Sequence, residues 1–334
     1  DRDVRFVTDL YGGEGYPNLA ETDDKMTSLF IIDRLLFSRQ SRYGNIWRNI
    51  LKLLVTPLQV YKIRKIYISN CAKIVHAHPM YYMFLCWLAR IPYVGTPQGD
   101  EMLIRPIKSK LYKYFASKVL IAAKAVIVDS HQMKDAIKSI SGVTAHVIQN
   151  GIDVKKILAR RDSKVERERI TSIRGMEKLY RINEILKARR YVNEAQQFTF
   201  IYPFYDVGYL PGIRGNLEVQ DCDLGRLEKN DMYKILQESI LVISIPSSDS
   251  SPRSVYESIF SGCCVAVTSN PWINMLPECM RDRIFIVNLE NKNWLADALE
   301  YATRIIKEDF IPSEKALNLF DESRSLCKVV DLYY

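Results

Sequence analysis

Two carboxylates and a serine-rich loop lie together in the stretch 246–264, and their types and spacing are suited to holding a phosphorylated ligand. Asp249 lies in the loop and Glu257 follows eight positions later, inside a helix that Ser251 and Pro252 are placed to begin as N-cap and first residue. The first amides of a helix and the positive end of its dipole favour an anion such as phosphate. Carboxylates beside that anion accept hydrogen bonds from sugar or ribose hydroxyls. The stretch therefore predicts a sugar-nucleotide site.

The segments on either side of this stretch predict the elements that hold it in place. Apolar runs at 240–245 and 263–267 indicate two buried parallel strands, and Gly262 is placed to end the helix between them. The loop then lies at the carboxyl end of the sheet, where open α/β sheets bind ligands. The alternative is an ordinary strand–loop–helix with solvated acids, because capped helices follow strands in any doubly wound domain.

The composition is that of a soluble globular protein. The chain has 334 residues, of which 26% are charged and 48% hydrophobic, and this suits two domains that each bury a core. Its seven cysteines form no C-x-x-C pair, so we expect free thiols in a reducing compartment rather than a disulfide framework. No run reaches the ~20 apolar residues of a membrane-spanning helix. The composition thus predicts a cytoplasmic protein.

The positive charge is concentrated in one region of the chain. The net charge is +8, yet residues 34–99 contain ten Lys or Arg and no Asp or Glu. Within this region, residues 44–67 have apolar side chains at helical spacing, and Pro57 is expected to divide them into two helices. Basic residues between the apolar ones favour binding of residues 42–65 to an anionic membrane surface. A helix with a solvated basic face is the alternative, and no nucleic acid is expected as a partner because no recognisable reading module accompanies the charge.

The amino-terminal half carries two further groups of residues that could contact a ligand. Val4–Thr8 indicates a strand, and Gly12 and Gly13 in the loop after it let a backbone approach a ligand closely. A flexible turn is the alternative, and the spacing is not the G-x-G-x-x-G of a dinucleotide site. His76 and His78 alternate onto one face of a later strand, but no third ligand accompanies them. A metal site is therefore not expected.

Together these motifs resemble those of the retaining glycosyltransferases of family 4, which have the GT-B fold. In that family the motif P-S-x-x-E is followed, after seven further residues, by E-A-x-x-x-G. A short strand comes next. Here Asp249 replaces the first Glu and Ser258 replaces the Ala. The amino-terminal half has the family's H-A-H, H-G-x-D and P-N-G-I-D motifs in the same order. Gln98 stands for the His of the second motif and Gln149 for the Pro of the third.

The resemblance covers nearly the whole chain through the order of its motifs and implies its architecture. The implied fold class is α/β, with two Rossmann-like domains facing across a cleft. An acceptor-side, membrane-facing domain would span residues 1–155, and a nucleotide-sugar domain residues 165–317. A last helix at about 318–334 would cross back to the first domain.

The resemblance also implies roles for individual residues. Arg174, at the end of a predicted strand, corresponds to the family's cation against the nucleotide diphosphate. Lys178 is the preferred second cation, and Arg181 is the alternative. Glu257 would be partly exposed and would bind the donor nucleoside. The remaining assignments are Asp249 and Gln98 as catalytic residues; Gly225, Ser251, Pro252, Arg253 and Ser254 on the donor; and Gly12, Gly13, Gly99 and Asp100 on the acceptor side.

The implied activity is transfer of a sugar from a nucleotide-sugar donor to an acceptor hydroxyl, with retention at the anomeric carbon. By resemblance neither a metal nor a cofactor is needed, and Asp221 and Asp223 are interpreted as loop residues rather than as a D-x-D metal motif. The acceptor would be a glycan or a lipid-linked molecule of cell-surface polysaccharide, lipopolysaccharide or glycolipid synthesis. The protein would then work peripherally at the inner face of the cell membrane. The alternatives are a sugar-nucleotide epimerase on the same fold, or a non-catalytic protein that binds membrane or nucleic acid.

Overall fold

The computed structural model describes residues 4–8, 26–29, 44–162, 164–192 and 196–334, and the structural statements below concern these residues. The chain divides into two compact units. Unit 1 comprises residues 1–127 and 136–146, and unit 2 comprises residues 128–135 and 147–334.

Unit 1 combines short parallel strands with helices. Its elements are β1 (Phe6–Thr8), β2 (Met26–Ser28), α1 (Gly44–Ser69), β3 (Val75–Ala77), α2 (Met80–Leu88), β4 (Tyr93–Gly95), α3 (Gly99–Leu103), α4 (Arg105–Lys108), α5 (Lys110–Ala122), β5 (Ala125–Val128), α6 (His131–Ser141) and β6 (His146–Val147). The boundary with unit 2 passes through β5, α6 and β6. Strands β3, β4, β5 and β6 form one sheet in that order, while β1 and β2 form a separate parallel pair. Among the described residues no helix is long and apolar enough to cross a bilayer.

Helix α1 runs without a break through Pro57, so the predicted division into two helices is wrong. A proline inside a helix removes one hydrogen bond and crowds the preceding turn. Packing offsets this loss, because one face of α1 is buried on both sides of the proline. That face consists of Leu51, Val55, Gln59 and Ile63. On it, the side chain of Gln59, two residues beyond the proline, accepts a hydrogen bond from Tyr81 of α2.

Unit 2 is built on a six-stranded sheet in which all neighbours are parallel. Its remaining elements are α7 (Val154–Arg160), β7 (Arg169–Ser172), α8 (Ile182–Ala188), β8 (Phe198–Ile201), α9 (Leu210–Arg214), β9 (Cys222–Gly225), α10 (Lys229–Gln237), β10 (Ser239–Ser244), α11 (Arg253–Phe260), β11 (Cys264–Thr268), α12 (Glu278–Arg281), β12 (Ile284–Val287), α13 (Trp294–Ile305), α14 (Glu314–Phe320) and α15 (Glu322–Asp331). The strand order is β12-β11-β10-β7-β8-β9.

Both faces of this sheet are covered by apolar clusters. Strand β10 is buried at every position, and its side chains alternate, with Val242 packing in one cluster and Leu241 and Ile243 in the other. The buried strands predicted at 240–245 and 263–267 are confirmed as β10 and β11. A parallel sheet covered on both sides needs apolar residues at successive positions. Continuous apolar runs therefore predicted these strands without any alternation of apolar and polar residues.

The strand order reverses beside β7. Strands β8 and β9 extend the sheet on one side of β7, and β10, β11 and β12 extend it on the other. The chain therefore leaves the carboxyl ends of β7 and β10 in opposite directions, which opens a crevice between the two connections. In open α/β sheets ligands bind at this reversal point.

Candidate active site

The segments that follow β7 and β10 carry the residues expected to bind the phosphates of a donor. Arg174 lies two residues beyond β7, and the loop 246–252 follows β10. A backbone hydrogen bond of 2.9 Å from Ser247 N to Leu179 O ties the two segments together. The fold thereby brings Arg174 next to Asp249, from which it is separated by 75 positions in the chain.

Arg174 is held between this loop and helix α11. Its Nη2 donates to Asp249 Oδ2 at 2.5 Å and its Nη1 to Ser254 Oγ at 3.0 Å, and the guanidinium lies 4.9 Å from the centroid of the Tyr180 ring. Both charged side chains are only 14% exposed, so water weakens their charge-assisted bond little. Within the described part of the chain, Arg174 Nε is buried and has no hydrogen-bond partner. Since a buried donor without a partner is costly, this Nε is suited to an oxygen of a ligand.

Helix α11 begins at Arg253, one residue later than predicted. Its N-cap is Pro252, whose φ of −79° and ψ of 89° are not helical, and no described side chain caps the helix. The predicted N-cap role of Ser251 is therefore wrong, because its hydroxyl donates instead to Gln149 Oε1 at 2.8 Å. A helix start without a side-chain cap leaves its first amides for other acceptors, and the dipole favours an anion there.

Glu257 is buried inside α11, whereas the sequence predicted partial exposure. Its Oε1 accepts a hydrogen bond from Lys229 Nζ and, at 3.3 Å, from Tyr233 OH. Burial and the Glu257 charge raise the pKa of Tyr233, so this hydroxyl stays a donor at neutral pH. Glu257 is thus a fixed acceptor, and both residues of α10 that hold it were missed by sequence reasoning.

A further carboxylate that the sequence did not single out lies beside the loop. Asp129 Oδ2 is 3.5 Å from Asn150 Nδ2 and 3.5 Å from Ser250 Oγ, and its Oδ1 is buried without a partner among the described residues. Burial raises the pKa of Asp129 above its ordinary value, and the charge of Asp249 adds to this effect. The signal that would have found it is an acid directly after the apolar run 125–128.

Asp221 and Asp223, the D-x-D pair, are both engaged in ion pairs. Asp221 pairs with Arg189, and Asp223 accepts from Arg214 Nε at 2.6 Å. Asp223 also belongs to strand β9, so its interpretation as a loop residue is wrong, while Asp221 directly precedes the strand. Among the described residues no group of three His, Cys, Asp or Glu side chains is placed to hold a metal ion.

Four residues predicted on the donor side, one of them as an alternative, lie at turns or at a helix start. Gly225 ends β9 with a φ of 62°, a left-handed conformation that glycine adopts readily. Lys178 is exposed and opens the short 3₁₀ helix Lys178–Tyr180, which is the turn bonded to the loop 246–252. Arg181, the alternative second cation, follows this turn with a φ of 54°. Arg253 is exposed at the first position of α11.

The residues predicted on the acceptor side belong to unit 1. Gln98 directly precedes α3, and Gly99 and Asp100 are the first two residues of that helix. Asp100 pairs with Arg105 at 2.8 Å. The predicted Gly12 and Gly13 lie outside the described residues.

Glu101 is a positioning residue of this segment that sequence reasoning missed. Its side chain is buried, and its Oε2 accepts hydrogen bonds of 2.9 Å from the backbone N–H groups of Gln98 and Met80. It thereby ties the start of α3 to the start of α2. An acid three residues after a helix start is the capping pattern that could have revealed it.

The chain is similar to one protein family model and to several solved structures. A model of Glycosyltransferase Family 4 matches residues 33–156, and no curated protein sequence matches the chain. Among solved structures, HepE of Anabaena in complex with UDP is similar over 98% of both chains, with a TM-score of 0.69 and 14% identity. Sucrose-phosphate synthase of Thermosynechococcus elongatus is similar over 83% of this chain and 77% of its own, with a TM-score of 0.64 and 15% identity.

These comparisons confirm the GT-B fold and the resemblance to family 4 that the motifs predicted. OtsA is a further similar structure, with a TM-score of 0.64 and 13% identity over 95% of this chain and 81% of its own. At such low identities the likeness to solved structures establishes the fold. Activity has to be argued from the site.

Proposed function

We propose that the protein is a retaining glycosyltransferase that moves a sugar from a nucleotide-sugar donor to an acceptor hydroxyl. The observation that carries the proposal is Arg174, which lies at the strand-order reversal beside the uncapped start of α11, with a buried Nε that has no partner among the described residues. A fixed cation next to a helix start suits a diphosphate. The match to the family 4 model supports the same class of reaction.

The donor is proposed to bind along the reversal point. Its diphosphate would contact Arg174, Lys178 and the first amides of α11. Asp249 would exchange its bond with Arg174 for one with a hydroxyl of the donor sugar, because the phosphate competes for the guanidinium. Glu257 would accept from the ribose hydroxyls, and the turn at Gly225 would lie beside the base.

The proposed reaction breaks the bond between the anomeric carbon and the diphosphate oxygen. A bond to the acceptor oxygen forms on the same face, and the acceptor proton passes to the departing diphosphate, so no protein nucleophile is needed. Negative charge develops on the diphosphate, and Arg174 and the helix amides are placed to stabilise it. No metal or cofactor is part of the proposal, which the ion pairs of Asp221 and Asp223 support.

The acceptor is proposed to be a glycan or a lipid-linked molecule met at the inner face of the cell membrane. The outer face of α1 supports attachment to an anionic membrane surface. Large apolar side chains are exposed there next to basic ones. They are Ile50, Leu53, Leu54, Leu58 and Tyr61, with Lys62, Arg64 and Lys65 following.

Thermal unfolding in the presence of nucleotide sugars tests the proposal. UDP and UDP-glucose come first, because HepE of Anabaena has been solved with both. A ligand at about 100 times its dissociation constant should stabilise the fold by about 2.7 kcal/mol, and diphosphate should then be released only when an acceptor is added. Formation of an epimer or free sugar without acceptor would indicate the epimerase instead. Binding of lipid or nucleic acid with no response to any nucleotide sugar would indicate a non-catalytic protein.

A further inference from the structure

Helices α4 and α5 of unit 1 expose large apolar side chains over a second surface, distinct from α1. The most exposed are Ile107 at 84%, Leu111 at 68% and Tyr114 at 58%. Within α5, Leu111, Tyr114, Lys118 and Ile121 recur at three- and four-residue spacing, so they share one face of the helix. The opposite face is buried through Ala116, Val119 and Leu120. We name this outer surface, with Ile107 of α4, the α4–α5 face.

The α4–α5 face is also strongly basic. Residues 102–128 contain six Lys or Arg and no Asp or Glu. The two acids that precede them are already engaged, since Asp100 pairs with Arg105 and Glu101 is buried against backbone amides. The Lys118 ammonium lies 5.7 Å from the Tyr114 ring, so its stem runs along the apolar surface. The exposed basic residues of the face are Lys108, Lys110 and Lys118.

Helix α5, like α1, packs against helix α2. Phe115 of α5 packs edge-on against Phe84 of α2, with ring centroids 6.1 Å apart, and α1 packs on α2 through Gln59 and Tyr81. Helices α1 and α5 therefore both pack against α2, and both expose apolar residues flanked by cations.

We propose that the α4–α5 face is a second membrane-binding surface whose partner is an anionic lipid bilayer. Its lysines would contact lipid phosphates while Ile107, Leu111 and Tyr114 enter the boundary between headgroups and acyl chains. A nucleic acid would neutralise the lysines but leave these apolar side chains in water, which favours the bilayer. The inference deepens the membrane attachment proposed for α1 and does not depend on the donor assignment.

Sedimentation of the full chain with vesicles tests this surface. The vesicles contain phosphatidylglycerol with phosphatidylcholine, or phosphatidylcholine alone. One variant combines Lys108→Gln, Lys110→Gln and Lys118→Gln, and another combines Ile107→Ser and Leu111→Ser. Because each lysine near such a surface contributes about fivefold in partitioning, the first should lower binding to anionic vesicles at least tenfold. The matched control, on exposed residues of unit 2, is Lys292→Gln, Lys307→Gln and Lys315→Gln with Ile311→Ser.

The outcomes separate this surface from the other proposals. Unchanged vesicle binding in both α4–α5 variants would overturn the inference. It would do so even if an α1 variant with Lys62, Arg64 and Lys65 replaced by glutamine bound more weakly, a result that would support the α1 proposal alone. Binding of single-stranded nucleic acid without vesicle binding would also overturn the inference.

A fluorescent reporter on the otherwise native face provides a test that does not depend on the folding of the multiple variants. Lys118→Cys labelled with an environment-sensitive fluorophore, in a chain with Cys71→Ser and Cys327→Ser, should shift its emission to the blue on anionic vesicles. An unshifted spectrum would contradict the inference. Thermal stabilisation by UDP, measured in the same variants, reports on the donor site independently.

Discussion

At the scale of single residues, the candidate donor site contains carboxylates that differ in whether their oxygens have hydrogen-bond partners. Asp249 is bonded to Arg174, and Glu257 is bonded to Lys229 and Tyr233. Asp129, in contrast, keeps one buried oxygen without a partner among the described residues. Substitutions at these positions should therefore have different effects on binding and on stability.

Glu257→Gln should weaken nucleotide binding about 10- to 100-fold, because hydrogen bonds that involve a charged group contribute about 1.5–3 kcal/mol. Glutamine keeps the shape of the side chain, and the half-exposed Lys229 can return to water, so we expect a small loss of stability. Calorimetric titration with UDP and thermal unfolding measure the two effects. Glu300→Gln, on the exposed side of α13, is the control. An unchanged affinity for nucleotide in Glu257→Gln would show that the donor site is misassigned.

Asp129→Asn should raise the unfolding temperature at pH 7. Burial raises the pKa of Asp129, so the folded state binds the proton more tightly than the unfolded chain does. Stability linked to this group is then present below the ordinary carboxyl pKa and is lost as the pH rises through the raised one. Unfolding temperatures between pH 4 and 8 should accordingly fall less with rising pH in the variant. Asp135→Asn, on the exposed side of α6, is the control, and a lower unfolding temperature for Asp129→Asn at pH 7 would refute the prediction.

The site residues that the sequence predicted and those that it did not predict differ in how far along the chain they lie from the residues they contact. Asp249 and Glu257 were found because they lie in one motif with the loop and the helix start. Lys229 and Asp129 were missed because they reach the same site from segments 28 and 121 positions away from their partners Glu257 and Ser250. Such contacts depend on the strand order of the sheet, which no local pattern specifies.

At the scale of elements, α1 shows how tertiary packing overrides a local rule. Pro57 predicted a break, but the buried face of the helix continues past it. The same packing directs Leu54 and Leu58 outward. The buried strands were easier to predict, because both faces of their sheet demand apolar side chains.

Replacing Lys62, Arg64 and Lys65 by glutamine should weaken binding to anionic vesicles. Each basic residue near such a surface contributes about 1 kcal/mol, and added salt should weaken the native protein's binding because it screens these charges. Co-sedimentation with phosphatidylglycerol-containing and with neutral vesicles measures the effect, with Lys292, Lys307 and Lys315 replaced by glutamine as the control. The membrane proposal for α1 fails if the native protein binds both vesicle types equally or binds neither.

Asp221→Asn should destabilise the protein by about 3–5 kcal/mol, since it leaves Arg189 as a buried cation with a weakened partner. The Asp221 side chain is fully buried and that of Arg189 is 6% exposed. Urea unfolding gives the difference in free energy. Asp231→Asn, which removes the exposed pair with Lys234, should cost less than about 1 kcal/mol. Equal stability of Asp221→Asn and the native chain would show that this aspartate has no structural role.

At the scale of the whole molecule, the order of motifs predicted the fold although the chain is only 14% identical to HepE of Anabaena. Alternating strands and helices restrict the topology strongly, because parallel strands need right-handed crossover connections. The loops that differ most between such proteins contact the ligand. The fold was therefore predictable, while the donor sugar and the acceptor depend on loops and side chains that vary within the fold.

The central claim is that Arg174 and helix amides, without a divalent metal, stabilise the departing diphosphate. The most direct test is the rate of nucleoside diphosphate release with donor and acceptor present, with and without a chelator and corrected for the folded fraction. Arg174→Ala should lower this rate by about 10²–10³-fold, while Arg281→Ala on the exposed side of α12 should leave it unchanged. The double variant Asp221→Asn, Asp223→Asn should keep most of the activity, and so should the native protein with chelator. A rate abolished by chelator and by the double variant, yet spared by Arg174→Ala, would contradict the account.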